Sequence, residues 1–106
     1  MKIESKFNLV QNVENESYDI NFGTIKKGAD TKVVIKFSDV NHLSVTKSCG
    51  CTMPTIALLP EGGFNLIIEY DNQKIGVISQ VVLERVVDNK NEQKVVTFHL
   101  KGTIVE

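Results

Sequence analysis

The sequence predicts an all-β fold, and three observations support this prediction. Apolar and polar residues alternate with a period of two, turn-forming residues separate the alternating runs, and no segment carries a helical stripe of useful length. About seven short strands in a chain of 106 residues are typical of an Ig-like β-sandwich. We therefore expect one Ig-like domain of about seven antiparallel strands over residues 1–106, with residues 1–15 as an extra N-terminal strand or arm.

The alternating runs define the expected strands in chain order. The residues of shared parity are Ile3, Ser5, Phe7 and Leu9; Tyr18, Ile20 and Phe22; Val33, Ile35 and Phe37; Leu43 and Val45; Phe64, Leu66, Ile68 and Tyr70; a β-branched run over 77–87; and Val96, Phe98 and Leu100. The turns between them read GTIKKGAD, SDVNH, LPEGG, DNQKIG and DNKNEQ. The parity of the fourth run continues to Cys49 and Cys51 if no bulge intervenes.

Composition argues against several classes of function. The chain has 12 basic and 13 acidic residues and 7% aromatic residues, so we expect no nucleic-acid partner. No run is long and apolar enough to predict a membrane span, and residues 1–13 lack the apolar core of a signal peptide. We therefore expect cytoplasmic synthesis without a signal peptide, later incorporation in a virion, and thiols that stay mostly reduced.

The two cysteines stand at positions i and i+2 in the stretch KSCGCTMP. On an extended strand their side chains share a face, and their Cα atoms lie about 6.6 Å apart. A disulfide between Cys49 and Cys51 therefore needs a backbone bend at Gly50. A redox function additionally needs an exposed and activated thiolate. The interpretation that we favour is that both cysteines are small core residues, and that Pro54 ends their strand.

A metal site is a further interpretation of the same pair. Thiolates suit zinc or Cu(I), and a structural zinc site needs four protein ligands. His42, His99 and Met53 are the other candidate ligands, but His42 is expected in a turn and His99 on the outward face of its strand. Spacing does not bring them together, so we expect no metal and no cofactor. Cys49 and Cys51 remain the candidate metal ligands.

Several segments, taken in order, resemble a known family. The segments are INFGTIKKG, SCGCTMP, LPEGGFNLIIEYD, KIG and FHLKGTI. They are similar to a bacterial family of unknown function with an FGT(I/V)…SCGCT.P…KG.(V/I) pattern, which itself is similar to Hydin-type Ig-like domains. The match covers residues 18–105 and implies an Ig-like fold. The chain departs from the family pattern in reading PEGG for PGE and in lacking the leader that family members often carry.

We expect the function to lie on edges and loop tips. No motif supports catalysis, and the carboxylates Glu61, Glu69, Asp71 and Glu84 are expected to be solvated. The candidate partner-binding residues are Lys26, Lys27, Asp88, Asn89, Lys90 and Asn91. We therefore expect a non-enzymatic protein–protein interaction module. By analogy with Ig-like domains on phage particles, we expect it to be an auxiliary or decoration protein bound in many copies to a bacteriophage capsid. The alternative is a thiol-redox or copper- or zinc-handling protein that uses Cys49 and Cys51.

Overall fold

A computed structural model describes residues 1–12 and 16–106 of the chain. These residues form an all-β structure with nine strands and no helix. The strands are β1 (Lys2–Ser5), β2 (Val10–Gln11), β3 (Ser17–Lys26), β4 (Lys32–Ser38), β5 (Val40–Lys47), β6 (Thr52–Leu58), β7 (Phe64–Tyr70), β8 (Gly76–Asp88) and β9 (Gln93–Val105).

Within the described residues, the strands form two sheets. The first sheet has the order β1-β4-β7-β6, and all its neighbours are antiparallel. The second has the order β2-β3-β9-β8-β5. One pair in it, β3 with β9, is parallel, so the prediction of antiparallel strands holds for every pair except this one. A parallel pair needs a long connection, and the chain from β3 to β9 provides one, since five strands lie between them in sequence.

The core lies between the two sheets, and period-two alternation builds it. In β4 and β7, the buried residues pair across the ladder as Val33 with Ile68, Ile35 with Leu66 and Phe37 with Phe64. The second sheet contributes buried residues from β3, β8 and β9. These are Ile20, Ile78, Val82, Val86, Val96, Phe98, Leu100 and Ile104.

Three aromatic rings join the sheets at the centre of this core. The rings of Phe37 and Phe64 stack with centroids 4.7 Å apart, and Phe98 from the second sheet meets Phe37 edge-on at 6.2 Å. All three side chains are fully buried. Burial of each such side chain stabilises the fold by about 1.5–3 kcal/mol.

The N-terminal segment pairs with its own chain. β1 lies antiparallel to β4, with Ile3 opposite Phe37, and β2 pairs with β3. The single N-terminal run of the sequence therefore divides between the two sheets. Residues 13–15, the end of the predicted arm, lie outside the described residues.

The stretch that follows the cysteines corrects one prediction. Pro54 does not end a strand but lies inside β6, a strand that the sequence did not predict. The expectation that Leu43 shares the inward face with Val45 is also wrong. Leu43 lies at an irregularity in β5 between His42 and Ser44, and it is 44% exposed. This bulge breaks the parity that the sequence suggested from Leu43 to the cysteines.

The turns group at two ends of the sandwich, which measures 48 × 30 × 23 Å. We call the turns 27–31, 48–51 and 71–75 the disulfide end, and the turns 38–40, 59–63 and 88–92 the hairpin end. Residues of the three turns at each end line a common groove. No helix among the described residues is long and apolar enough to cross a membrane.

Candidate functional site

The two cysteines lie in the crossover loop between the sheets. β5 is one edge of the second sheet, β6 is one edge of the first sheet, and residues 48–51 connect them. Backbone hydrogen bonds fix both sides of this loop. The Thr52 N–H donates to the Cys49 carbonyl at 3.2 Å, and the Asp71 N–H donates to the Cys51 carbonyl at 2.8 Å. The loop is therefore a defined turn.

Ser48 anchors the start of the loop to β8. Its hydroxyl donates to Gln80 Oε1 at 2.7 Å and accepts from the Val81 N–H at 2.8 Å, while its own N–H donates to the Val81 carbonyl. A serine therefore replaces the next step of the β5–β8 ladder where the chain leaves the sheet.

Cys49 and Cys51 are joined by a disulfide, so the expectation of reduced thiols is wrong for this structure. Their Cα atoms are 5.2 Å apart, shorter than the extended spacing, because the chain turns through Gly50 as a disulfide requires. The Cys51 N–H also donates to Cys49 Sγ at 3.1 Å. Apart from its neighbours Cys49 and Cys51, no described residue has an atom within 4 Å of the position that a Cβ on Gly50 would take.

The prediction that both cysteines are core residues is only partly right. Both are half-buried, and Cys51 packs against the core cluster. The covalent ring spans three residues, and the chain-entropy relation gives so short a loop only about 1.6 kcal/mol of stabilisation. A disulfide closing a 15-residue loop would contribute about 3 kcal/mol by the same relation. The pair is therefore a weak staple for the fold.

A groove of about 290 Å³ runs beside Cys51 at the disulfide end. Gly50, Met53 and Tyr70 contribute to its wall, and Lys32 lies across from them on β4. The Met53 side chain is 53% exposed. Cys51 therefore has an open approach on the side of this groove.

The metal interpretation has no support from the geometry of the described residues. Sulfur atoms bonded to each other are not thiolates and do not bind zinc or Cu(I) as thiolates do. No group of three or more His, Cys, Asp or Glu residues in the described ranges could hold a metal ion. His99 lies half-buried on β9, beside Asp19 on the outer face of the second sheet.

His42 and Glu84 form a pair that the sequence prediction missed. His42 lies in β5 rather than in a turn, and its Nδ1 forms a hydrogen bond with Glu84 Oε1. Its ring meets Phe64 edge-on at 5.5 Å. Parity could have revealed the pair, because Glu84 stands between the inward-facing Val82 and Val86.

The expectation that Glu84 is solvated is wrong. Its side chain is fully buried, and Oε2 has no hydrogen-bond partner among the residues that the structure describes. Burial raises the pKa of Glu84 above its ordinary value of 4.5, and the hydrogen bond from His42 lowers it in part. The pair therefore makes the stability of the sandwich depend on pH.

The candidate partner-binding residues divide between the two ends of the sandwich. Lys26 and Lys27 are exposed at the end of β3, where the Lys27 N–H donates to the Val105 carbonyl. Asn89, Lys90 and Asn91 are exposed at the hairpin end, before β9 begins. The length of β9 separates the two groups by about 40 Å at the usual rise per residue.

Asp88 organises the turn at the hairpin end. Its carboxylate accepts hydrogen bonds from the N–H groups of Lys90 and Glu92, both at 2.9 Å. The bond from Glu92, followed by that from Lys90, holds the pKa of Asp88 below its ordinary value of 3.8. Asn91 takes a positive φ of 61°, which suits asparagine in a tight turn.

The outer edges of β5 and β6 carry features that discourage strand addition. A backbone hydrogen bond lies at each end of the β6–β7 ladder. At one end the Leu59 N–H donates to the Gly63 carbonyl, and at the other the Asp71 N–H donates to the Cys51 carbonyl. Hydrogen-bonded and non-hydrogen-bonded residue pairs alternate along an antiparallel ladder, which places Pro54 in a non-hydrogen-bonded pair. Its nitrogen therefore faces away from β7, toward the outer edge, where proline removes a donor.

β5 is guarded in a different way. Lys47 lies opposite the buried Val82 but is itself exposed, so a charged residue stands at a position of inward parity. The bulge at Leu43 also interrupts the ladder. Both are known protections of an edge strand.

No protein-family model, curated protein or solved structure matches the chain.

Proposed function

We propose that the chain is a non-enzymatic protein–protein interaction module with an Ig-like β-sandwich fold. The strand orders support the fold. The order β1-β4-β7-β6 corresponds to the A-B-E-D sheet of Ig domains, and β9-β8-β5 corresponds to the G-F-C sheet. β3 then adds to the G strand in parallel, and β2 is an addition at the edge.

We propose further that the module binds in many copies to a large assembly such as a bacteriophage capsid. The observation that carries this proposal is the placement of two exposed polar tips at opposite ends of a long sandwich. Lys26 and Lys27 lie at one end, and Asn89–Asn91 lie at the other, about 40 Å away along β9. A module with contact groups at both ends can bridge two neighbouring subunits and stiffen a shell.

The guarded edges favour contacts through loop tips rather than through strand addition. Pro54 and Lys47 discourage a further strand at β6 and β5, while the tips are polar and exposed. Rim contacts of this polar kind are typical of non-obligate interfaces, in which association depends on complementary charge.

The test is to purify viral particles from the source and measure this chain by quantitative mass spectrometry. The proposal expects it to sediment with intact particles in a fixed ratio to the shell protein. Cross-linking mass spectrometry should join both tips to the shell protein. The absence of the chain from purified particles would refute the capsid proposal.

Charge reversal tests the contact residues directly. Lys26→Glu with Lys27→Glu should release the chain from particles at lower salt, because surface charge pairs are screened by salt. Lys6→Glu with Lys47→Glu is the matched control, since both lysines are exposed and neither belongs to the proposed contact residues. Equal release of both double variants would contradict the assignment of the tips.

A further inference from the structure

We propose that the Cys49–Cys51 disulfide is a thiol–disulfide exchange site that accepts two electrons from a dithiol. Three observations carry the proposal: the place of the disulfide in an open crossover loop, a hydrogen bond that favours one sulfur as the leaving group, and a loop held by bonds that do not involve sulfur. The proposal goes beyond the proposed function, and either can fail without the other.

The disulfide is accessible from the disulfide end of the sandwich. Cys51 lines the groove of about 290 Å³, and both sulfur-bearing residues are half-buried rather than enclosed. Gly50 leaves open space beside the loop, since no described residue other than its neighbours Cys49 and Cys51 comes within 4 Å of the position that a Cβ would take there. The groove therefore gives a thiolate a path to the Cys51 side of the disulfide, and access of this kind is required for exchange.

The hydrogen bond within the loop distinguishes the two sulfurs. The Cys51 N–H donates to Cys49 Sγ at 3.1 Å. A donor aimed at sulfur stabilises negative charge there, so Cys49 is the better leaving group. Attack is therefore directed at Cys51 Sγ, which is also the sulfur whose residue lines the groove.

The exchange balances in two steps. A donor thiolate attacks Cys51 Sγ; a bond forms between the two sulfurs, the Cys49–Cys51 bond breaks, and Cys49 leaves as a thiolate. The second thiol of the donor, deprotonated, then attacks the donor sulfur of the mixed disulfide, closes the donor's own disulfide and releases Cys51 as a thiolate. The two protons lost by the donor end on Cys49 and Cys51. The donor loses two electrons and the protein gains two.

The loop does not depend on the disulfide for its position. Two backbone hydrogen bonds hold the loop on the side of β6. The Thr52 N–H donates to the Cys49 carbonyl, and the Asp71 N–H donates to the Cys51 carbonyl. On the side of β5, the Ser48 hydroxyl accepts from Val81 N–H. Reduction therefore leaves the backbone in place and the two thiols close together, ready to be oxidised again.

The first experiment measures reduction of the native, oxidised protein at pH 7. Dithiothreitol is one probe, and a synthetic Cys-x-x-Cys peptide is the other; acid-quenched samples are alkylated and weighed by mass spectrometry. We expect both probes to reduce the native protein at rates within about tenfold of those in denaturing urea, with the far-UV CD spectrum unchanged. A faster reaction with the peptide would identify a protein dithiol as the donor. A faster reaction with dithiothreitol would identify a small-molecule dithiol as the donor. Reduction only in urea by both probes would overturn the proposal.

The second experiment tests which sulfur leaves. Cys51→Ala retains Cys49 together with the N–H of residue 51, and Cys49→Ala is the matched control that retains Cys51. We expect Cys49 to react with iodoacetamide at pH 7 several times faster than Cys51, because the N–H favours its thiolate. Peptide mapping of the briefly alkylated, reduced wild-type protein gives the same comparison without substitution. Equal rates, or faster reaction of Cys51, would overturn the assignment of the leaving group.

Discussion

Replacement of Glu84 by methionine should stabilise the protein at alkaline pH. The carboxylate is fully buried, its Oε2 lacks a partner among the described residues, and its cross-strand neighbours are Val45 and Val96. A buried polar atom without a partner costs about 1–3 kcal/mol, and replacing a buried ionic pair by apolar groups of similar volume often stabilises by about 1–4 kcal/mol. His42 would lose its partner, but its side chain is 23% exposed and can bind water.

The sign of the pH dependence follows from the raised pKa of Glu84. The folded protein holds this proton more tightly than the unfolded chain does, so the contribution of Glu84 to stability is fully present below its ordinary value of 4.5. That contribution is lost as the pH rises through the higher pKa of the folded state. Glu84→Met should therefore exceed the wild type by about 1–3 kcal/mol at pH 8, and by less at pH 4.5.

Urea unfolding at a series of pH values measures the difference. Glu84→Gln is the matched variant, since it keeps the shape and cannot ionise but leaves a buried amide group to be satisfied. Its stability should lose the pH dependence assigned to Glu84 without the full gain of methionine. Glu92→Gln, at an exposed carboxylate in the hairpin turn, is the control and should behave as the wild type. A methionine variant with a constant offset from the wild type at every pH, or with lower stability at pH 8, would refute the reasoning.

Three further predictions concern turns and edges. Gly63→Ala should destabilise by about 1–3 kcal/mol in urea unfolding, because its φ is 78° and a Cβ would collide with the Phe37 carbonyl. Gly62→Ala should cost less, because its φ is also positive, at 96°, but no described residue beyond its chain neighbours lies within 4 Å of the added Cβ. Equal costs would contradict the collision. Asp88→Ala should lower stability at neutral pH. Because the folded pKa of Asp88 is lowered, the wild type should lose this advantage as the pH falls through that pKa, and an unchanged gap between the two in acid would argue against the turn bonds. Pro54→Val should restore a donor at the outer edge of β6 and promote self-association, seen as greater light scattering on concentration; Pro60→Val, in the turn at the hairpin end, is the control and should scatter as the wild type does.

Period-two alternation made much of the architecture predictable. Alternation predicts a shared face for Val33, Ile35 and Phe37 in one strand and for Phe64, Leu66 and Ile68 in another, and all six are buried in the structure. Alternation succeeds there because both strands lie inside a sheet with one face on the core. The prediction of an all-β fold is therefore confirmed.

The sequence could not reveal β6, for a physical reason. Its stretch TMPTIAL contains a proline and follows two cysteines, a composition that suggests a break. An edge strand tolerates proline where the nitrogen faces outward, and only the register with β7 shows which way it faces. The parallel pairing of β3 with β9 was hidden likewise, because local alternation carries no information on the neighbour.

The candidate site was predictable only in part. The sequence placed Cys49 and Cys51 on one face and required a bend at Gly50 for a disulfide, and the chain does bend there. It could not show the hydrogen bond from Cys51 N–H to Cys49 Sγ, because that bond depends on the backbone angles of the turn. It also missed His42 with Glu84, because β5 already begins at Val40, within the expected turn. The bulge at Leu43 then lets His42 share the inward face with Val45, which a strict period of two does not predict.

The parallel pairing of β3 with β9 has a consequence for synthesis. Ser17 lies beside Thr97, so about 80 residues must be made before this ladder can begin to form. Until β9 leaves the ribosome, the edge of β3 that will pair with it exposes N–H and C=O groups without a strand partner, together with the apolar side chain of Ile20. The β3–β9 ladder is therefore a late step in the folding of this domain, and a nascent chain that stalls before β9 presents an open edge of β3 to chaperones and to other nascent chains.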